Sequence, residues 1–178
     1  MKDSIRYLIL ILLTAINILS STDAQQSTPT EYEVKTAFIY NLAKFVEWPA
    51  DADTTIDLCI LGDDPFGSVI DVIQGKPVRE KNIVITRIKP LRQLKTCQIL
   101  FISNSEKERL PQILDALGSS NVLTIGDTEE FAQRGVIINF YVEQNKVRFE
   151  INLESAKRAG LSISSKLLKL GRIVKGKS

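Results

Sequence analysis

Histidine is absent from this chain of 178 residues. That removes the usual general base near neutral pH and the commonest metal ligand. Ser-His-Asp and Cys-His schemes are thereby excluded. The two cysteines, Cys59 and Cys97, make a poor zinc site without a histidine beside them. An excess of one charge is also missing: 23 Lys and Arg stand against 21 Asp and Glu, a net charge of +2. Such a balance carries no electrostatic footprint of a nucleic-acid surface. Phe140, Tyr141, Arg148 and Phe149 do place aromatic and basic residues together, but strand alternation sends half of them into a core. No glycine loop for phosphate is present. Gly62 and Gly67 are followed by no GKS or GKT at Walker spacing, and GxGxxG does not occur. No cofactor, metal site or catalytic residue is expected from this inventory.

The first 24 residues read as a secretory signal peptide. Lys2 and Arg6 precede an apolar stretch, Tyr7 to Leu19, and Thr22 and Ala24 sit like the −3 and −1 residues of a cleavage site. The rival reading is an uncleaved anchor, but the apolar run is short of the roughly 20 residues that span a bilayer. Cleavage near Ala24 would leave an exported, soluble chain, with residues 25 to 30 as a polar linker. Export changes how the cysteines read. Two thiols in an oxidising compartment suggest one disulfide, Cys59 to Cys97. The alternative is two separate buried thiols packing as small hydrophobes.

Thr30 reads as a helix N-cap with Glu33 completing a capping box, opening a helix over Glu31 to Val46 that Trp48-Pro49 stops. Strands are expected at Thr55–Leu61, Ile83–Ile88, Gln98–Ile102 and Val122–Ile125. Val136–Val142 and Val147–Ile151, joined by a turn at Glu143-Gln144-Asn145, look like an antiparallel hairpin. Short helical segments are expected at Val69–Ile73, Leu91–Leu94 and Thr128–Gln133. A longer one is capped by Ser105, with Glu108 at the box position, and ends before Gly118. The chain closes with helices at Glu154–Ala159 and Ile163–Ile173, separated by Gly160. Alternating strands and helices predict a single α/β domain over residues 31–176. It is a three-layer sandwich: a mostly parallel sheet of about six strands, helices on both faces and the C-terminal hairpin as an antiparallel edge.

In an open parallel sheet, ligands default to the crevice beyond the strand C-termini. Gly62, Asp63, Asp64 and Phe66 follow the first strand, and Asp127 and Thr128 follow the fourth, so these form a candidate ligand crevice. Turn and helix-start preferences alone also account for Asp, Pro and Gly there. For a partner surface, the candidates are Phe45 and Trp48 at the end of the first helix, and Leu167 and Leu170 on the last. Trp48 is the sole tryptophan, and aromatic anchors concentrate binding energy. Ile163, Leu167, Leu170 and Val174 form a helical stripe that suits packing on the sheet or a dimer face.

Four stretches in order carry a resemblance. They are the first helix through VKTAFIYNLAKFVEWP, then Cys59-Ile60-Leu61-Gly62 with Asp64-Pro65-Phe66-Gly67, then CQILFIS at Cys97–Ser103, and the end from Val122 to Val174. Together they resemble the YfiR family of exported bacterial proteins. The resemblance implies a flavodoxin- or Rossmann-like domain without a classical nucleotide motif. It also implies a periplasmic regulator, usually a homodimer, which inhibits an inner-membrane diguanylate cyclase by binding its sensor portion, so controlling cyclic di-GMP and biofilm formation. Cys59 and Cys97 match the family's central cysteine pair, which supports the bridge. A second pair nearer the C-terminus is missing here, so redox switching through it is unavailable. Members also neighbour sensor kinases, so a small-ligand-binding protein feeding a kinase is the alternative function.

Overall fold

The computed structural model describes residues 30–49 and 54–176. The segment read as a signal peptide and all but the last residue of the linker lie outside the described residues.

Helix α1, Glu31–Phe45, begins where the capping box places it. Thr30 Oγ1 accepts the Glu33 amide at 3.3 Å, and the Glu33 carboxylate accepts the Thr30 amide at 2.5 Å. Those two bonds to Thr30, the backbone one foremost, hold the Glu33 carboxyl below its ordinary pKa. A lowered pKa stabilises the fold above the unfolded value and loses that contribution as pH falls through the folded one. The first turn of α1 should therefore fray below about pH 4.3. Thr30→Ala should cost about 1 kcal/mol at neutral pH. Amide exchange at residues 31–34 reads both effects, and unchanged exchange in either case refutes the cap's role.

Eight strands form one sheet: β2 Thr55–Leu61, β3 Pro77–Val78, β4 Lys81–Ile88, β5 Ile99–Ile102, β6 Leu123–Gly126, β7 Ile138–Glu143, β8 Lys146–Asn152 and β10 Arg172–Val174. Their spatial order is β10-β8-β7-β6-β5-β2-β4-β3. The pairs β4–β2, β2–β5, β5–β6, β6–β7 and β8–β10 are parallel, and β7–β8 and β3–β4 are antiparallel. Two further strands, β1 Val46–Glu47 and β9 Ser162–Ile163, pair by themselves, and Ser164 donates to the Phe45 carbonyl at 3.0 Å. The six expected strands are all present. The four unforeseen ones run two or three residues each, too short for an alternation to register. One of them, β10, lies outside the hairpin at its end of the sheet.

Alternation sorts the strand side chains between two cores. Ile56, Leu58, Ile60, Ile99 and Phe101 face α1 and the 3₁₀ segment Gly67–Ile73. Cys59, Leu61, Leu100 and Ile102 face the 3₁₀ segment Leu91–Thr96 and helix α2, Leu110–Leu117. Both faces are thus covered, which is why the strands read as continuous apolar runs. Cys59 and Cys97 form a disulfide inside the second core, with Cα atoms 5.9 Å apart.

Three helix assignments differ from expectation, each for a local reason. Ser103 rather than Ser105 is the cap, and Asn104–Arg109 is 3₁₀ before α2 begins at Leu110. Pro111 excludes an α-helix running into it, since its ring would clash with the carbonyl four residues back. That carbonyl, of Lys107, instead accepts Arg134 Nη2 at 3.0 Å. Residues 128–133 are turns, interrupted by Glu130 at φ +65°. The stretch 163–173 is not one helix. Helix α3, Leu153–Arg158, precedes β9; helix α4 spans only Ser165–Leu168, and the chain then extends into β10. Gly171 permits the close approach of the extended chain that follows. A Cβ there would lie 2.6 Å from the Phe149 ring, so the backbone presses directly onto the sheet.

Candidate functional site

The chain reverses direction across the sheet between β2 and β5, because β4 lies on one side of β2 and β5 on the other. This is the switch point where an open α/β sheet normally leaves a crevice. Here it is filled. Gly62 has φ +91°, and a Cβ on it would lie 2.4 Å from Ser105 Oγ and 2.8 Å from Glu106 Cγ. The Asp63 amide donates to Ser105 Oγ at 2.9 Å. Backbone meets side chain with no gap between.

The other crevice candidates are engaged by the protein itself. Asp64 Oδ1 accepts the Phe66 and Gly67 amides at 2.7 and 3.3 Å, which shapes the turn, and Oδ2 accepts Arg87 Nε at 2.7 Å. Phe66 is buried and meets the rings of Tyr32 and Phe101 edge to face, at centroid distances of 5.1 and 4.7 Å. Asp127 Oδ2 accepts Lys35 Nζ at 2.7 Å and Tyr32 Oη at 3.1 Å. Thr128 Oγ1 donates to Asn104 Oδ1 at 3.2 Å. The structure does bring these residues to one edge, and Tyr32 joins the two halves by touching both Phe66 and Asp127. The first turns of α1 lie across the strand ends.

Lys35 is the centre of this arrangement. It is 3% exposed, pairs with Asp127 and with Glu31 at 2.5 Å, and lies 4.3 Å from the Tyr32 ring centroid. Burial alone would lower its pKa. The hydrogen bonds to Asp127 and Glu31 outweigh burial, and the net shift is upward. Tyr32 is pushed up as well, by burial first and then by the adjacent Asp127 charge. An ammonium and a phenol both held in their protonated forms do not provide a base. The edge has the chemistry of a staple.

The described surface opens at the opposite edge. A cavity of about 350 Å³ lies at the N-terminal ends of β2 and β5, walled by Trp48, Ile56, Val78 and Gln98 with Arg79 at its mouth. Trp48 Nε1 donates to the Gln98 carbonyl at 3.3 Å. Of the proposed partner-surface residues, Phe45 and Trp48 are half-buried and Leu170 is 69% exposed. Leu167 is a correction: it is buried in the first core, because α4 turns it inward. Ile173, 53% exposed, joins Leu170 on the open end of the sheet. Sequence reasoning missed it by placing it in a helix. Among the described residues no helix is long and apolar enough to cross a membrane.

The profile described as YfiR/HmsC-like matches residues 32–172, which spans every element from α1 into β10. The chain is also similar in fold to a solved structure of an ABC domain in complex with L-Trp from Streptococcus pneumonia, at 10% identity and a TM-score of 0.52. That match covers 76% of this chain and 59% of the other, so this chain spans under two thirds of that structure's length. At such identity the likeness speaks for the fold alone.

Proposed function

This chain belongs to the YfiR/HmsC-like family, a family of regulatory, non-catalytic proteins, and on that premise we propose that it is an exported periplasmic inhibitor of an inner-membrane signalling receptor, a diguanylate cyclase above a sensor kinase. The observation that carries the reading is the family match over residues 32–172. Two others support it: the disulfide, which suits an oxidising compartment, and the apolar N-terminal segment with its cleavage-like Thr22 and Ala24. The protein acts as a homodimer, binds the receptor's sensor portion and favours its inactive state. To move such a sensor from 1:99 to 99:1 inactive, the inhibitor must bind the inactive state about 10⁴-fold more tightly, about 5.5 kcal/mol.

The docking surface in this reading is the open sheet end carrying Leu170 and Ile173, with Phe45 and Trp48 as a second patch. Leu170 is exposed, so Leu170→Asp should leave the melting temperature within about 2 °C, because surface changes stay within about 0.5 kcal/mol. It should weaken capture of the receptor's periplasmic portion tenfold or more, read by interferometry against the purified sensor domain. Deleting the gene should raise cellular cyclic di-GMP. Repeated failure to recover any receptor from membranes, with cyclic di-GMP unchanged, rejects the reading.

A further inference from the structure

We propose that the cavity beside Trp48 binds a small amphiphilic anion, a flat apolar body bearing one carboxylate-type group. The site is distinct from the strand-end edge held by Lys35 and from the Leu170 surface; it shares Trp48 with the second docking patch, but its test needs no receptor.

Size and lining define the body of the ligand. A volume of about 350 Å³ lies at the lower end of small-molecule sites, which are mostly apolar with few polar groups. Ala43, Ile56 and Val78 form a buried apolar floor, with exposures of 1%, 4% and 1%. The Trp48 indole N–H is taken by the Gln98 carbonyl, so the ring is held in place and offers its apolar surface to an occupant. Gln98 is fixed in turn: its side-chain oxygen accepts the Asp57 amide at 2.8 Å, and its carbonyl also accepts the Leu123 amide at 2.8 Å. The walls are thus formed before any ligand arrives.

The mouth defines the charge. Arg79 is the first of the two loop residues joining β3 to β4, since Val78 pairs with Lys81. Its φ is +56°, a conformation for which glycine is the usual choice in a tight hairpin. An arginine here carries strain that a glycine would not, and strained backbone concentrates at functional sites. Its one hydrogen bond among the described residues is a 3.5 Å approach of Nη2 to the Val46 carbonyl, at the limit for such a bond. The planar guanidinium fork, which matches a carboxylate in two-point geometry, lies where the apolar floor ends. The exposed Arg79 guanidinium, held by a single long hydrogen bond, is the group that favours an anion over a cation here.

The sole tryptophan makes the test direct: all indole fluorescence comes from Trp48, and because Trp48 also borders a second recess beside Lys95 and Asn121, the Arg79 variants assign the response to this cavity. Phenylacetate and its neutral amide, phenylacetamide, are titrated into the purified protein. The Trp48 emission and the indole N–H resonance are followed together. Phenylacetate should give a saturable change, with phenylacetamide at least fivefold weaker. Arg79→Gln should reduce phenylacetate binding to the level of the amide, while Arg79→Lys keeps most of it. Arg79→Gly should lose binding equally yet melt at the same or a higher temperature, which separates recognition from folding. No saturable change with phenylacetate, equal response to acid and amide, or indifference to both Arg79→Gln and Arg79→Gly would each overturn the proposal.

Discussion

Lys35→Met should lower the unfolding free energy by about 3–5 kcal/mol, the range for removing one partner of a buried ion pair. The reason is what remains. Asp127, with a side chain 8% exposed, would keep only the Tyr32 hydroxyl as a donor among its described contacts. Glu31 is 46% exposed and would relax into water, so its share is the few tenths of a kcal/mol usual for an i,i+4 pair. The double variant Lys35→Met/Asp127→Leu removes both charges and should recover most of the loss, since apolar replacement of a whole buried pair is often neutral. Urea midpoints at constant slope measure the cycle. A single-variant loss below about 1 kcal/mol would show that the pair is not what fastens α1 over the strand ends. The pH dependence has a definite sign. A raised Lys35 pKa gives a contribution fully present below the unfolded lysine value, about 10.4, and lost as pH rises through the folded one. This group therefore adds no slope between pH 5 and 9.

Much of this architecture is legible without coordinates, and where it fails the failures share a cause. The buried strands read clearly because a sheet covered on both faces needs apolar residues at successive positions, as TIDLCIL and ILFI supply. The α1 cap reads because its chemistry is local to Thr30 and Glu33. The C-terminal stretch misleads because Ile163, Leu167, Leu170 and Val174 keep a helical period while tertiary contacts decide otherwise. Ile163 is pulled into the β1–β9 ladder, and Gly171 lets the chain collapse onto Phe149 and Ile151. Periodicity records what a segment could be when isolated. Here the pairing partners are Val46 in one case and Ile151 in the other, both remote in sequence.

The candidate edge illustrates the same limit on function. Spacing places Asp63, Asp64, Asp127 and Thr128 at one end of a parallel sheet, and that is where they are. It cannot tell that Tyr32 and Lys35, some 90 residues before Asp127, bind that carboxylate. Asp127, which looks poised for a ligand, is taken by helix α1, while Asp64 is taken by Arg87 and by the amides of its own turn. The opposite edge carried one sequence signal, the single Trp48, and the structure adds the positive φ of Arg79, which no motif announces.

Replacing both cysteines, Cys59→Ala/Cys97→Ala, should cost about 4 kcal/mol, the chain-entropy value for a loop of 38 residues. For a chain of this size that is a fall in melting temperature of roughly 8–16 °C. The bridge joins β2 to Cys97, two residues ahead of β5, its neighbour in the parallel sheet, so its loss loosens the centre of the molecule and not a flank. Burial sets the chemistry. Cys59 and Cys97 are 3% and 2% exposed, packed among Leu61, Leu94 and Leu100. A thiolate must reach a sulfur to exchange with it, so reduction requires the second core to open first. Alkylation and mass spectrometry should accordingly find the bridge intact after an hour in millimolar dithiothreitol, and reduced within minutes once urea approaches the unfolding midpoint. A stability loss under about 1 kcal/mol would remove the bridge from the fold's supports. Rapid reduction of the native protein would instead show that the bridge is reachable without opening the second core.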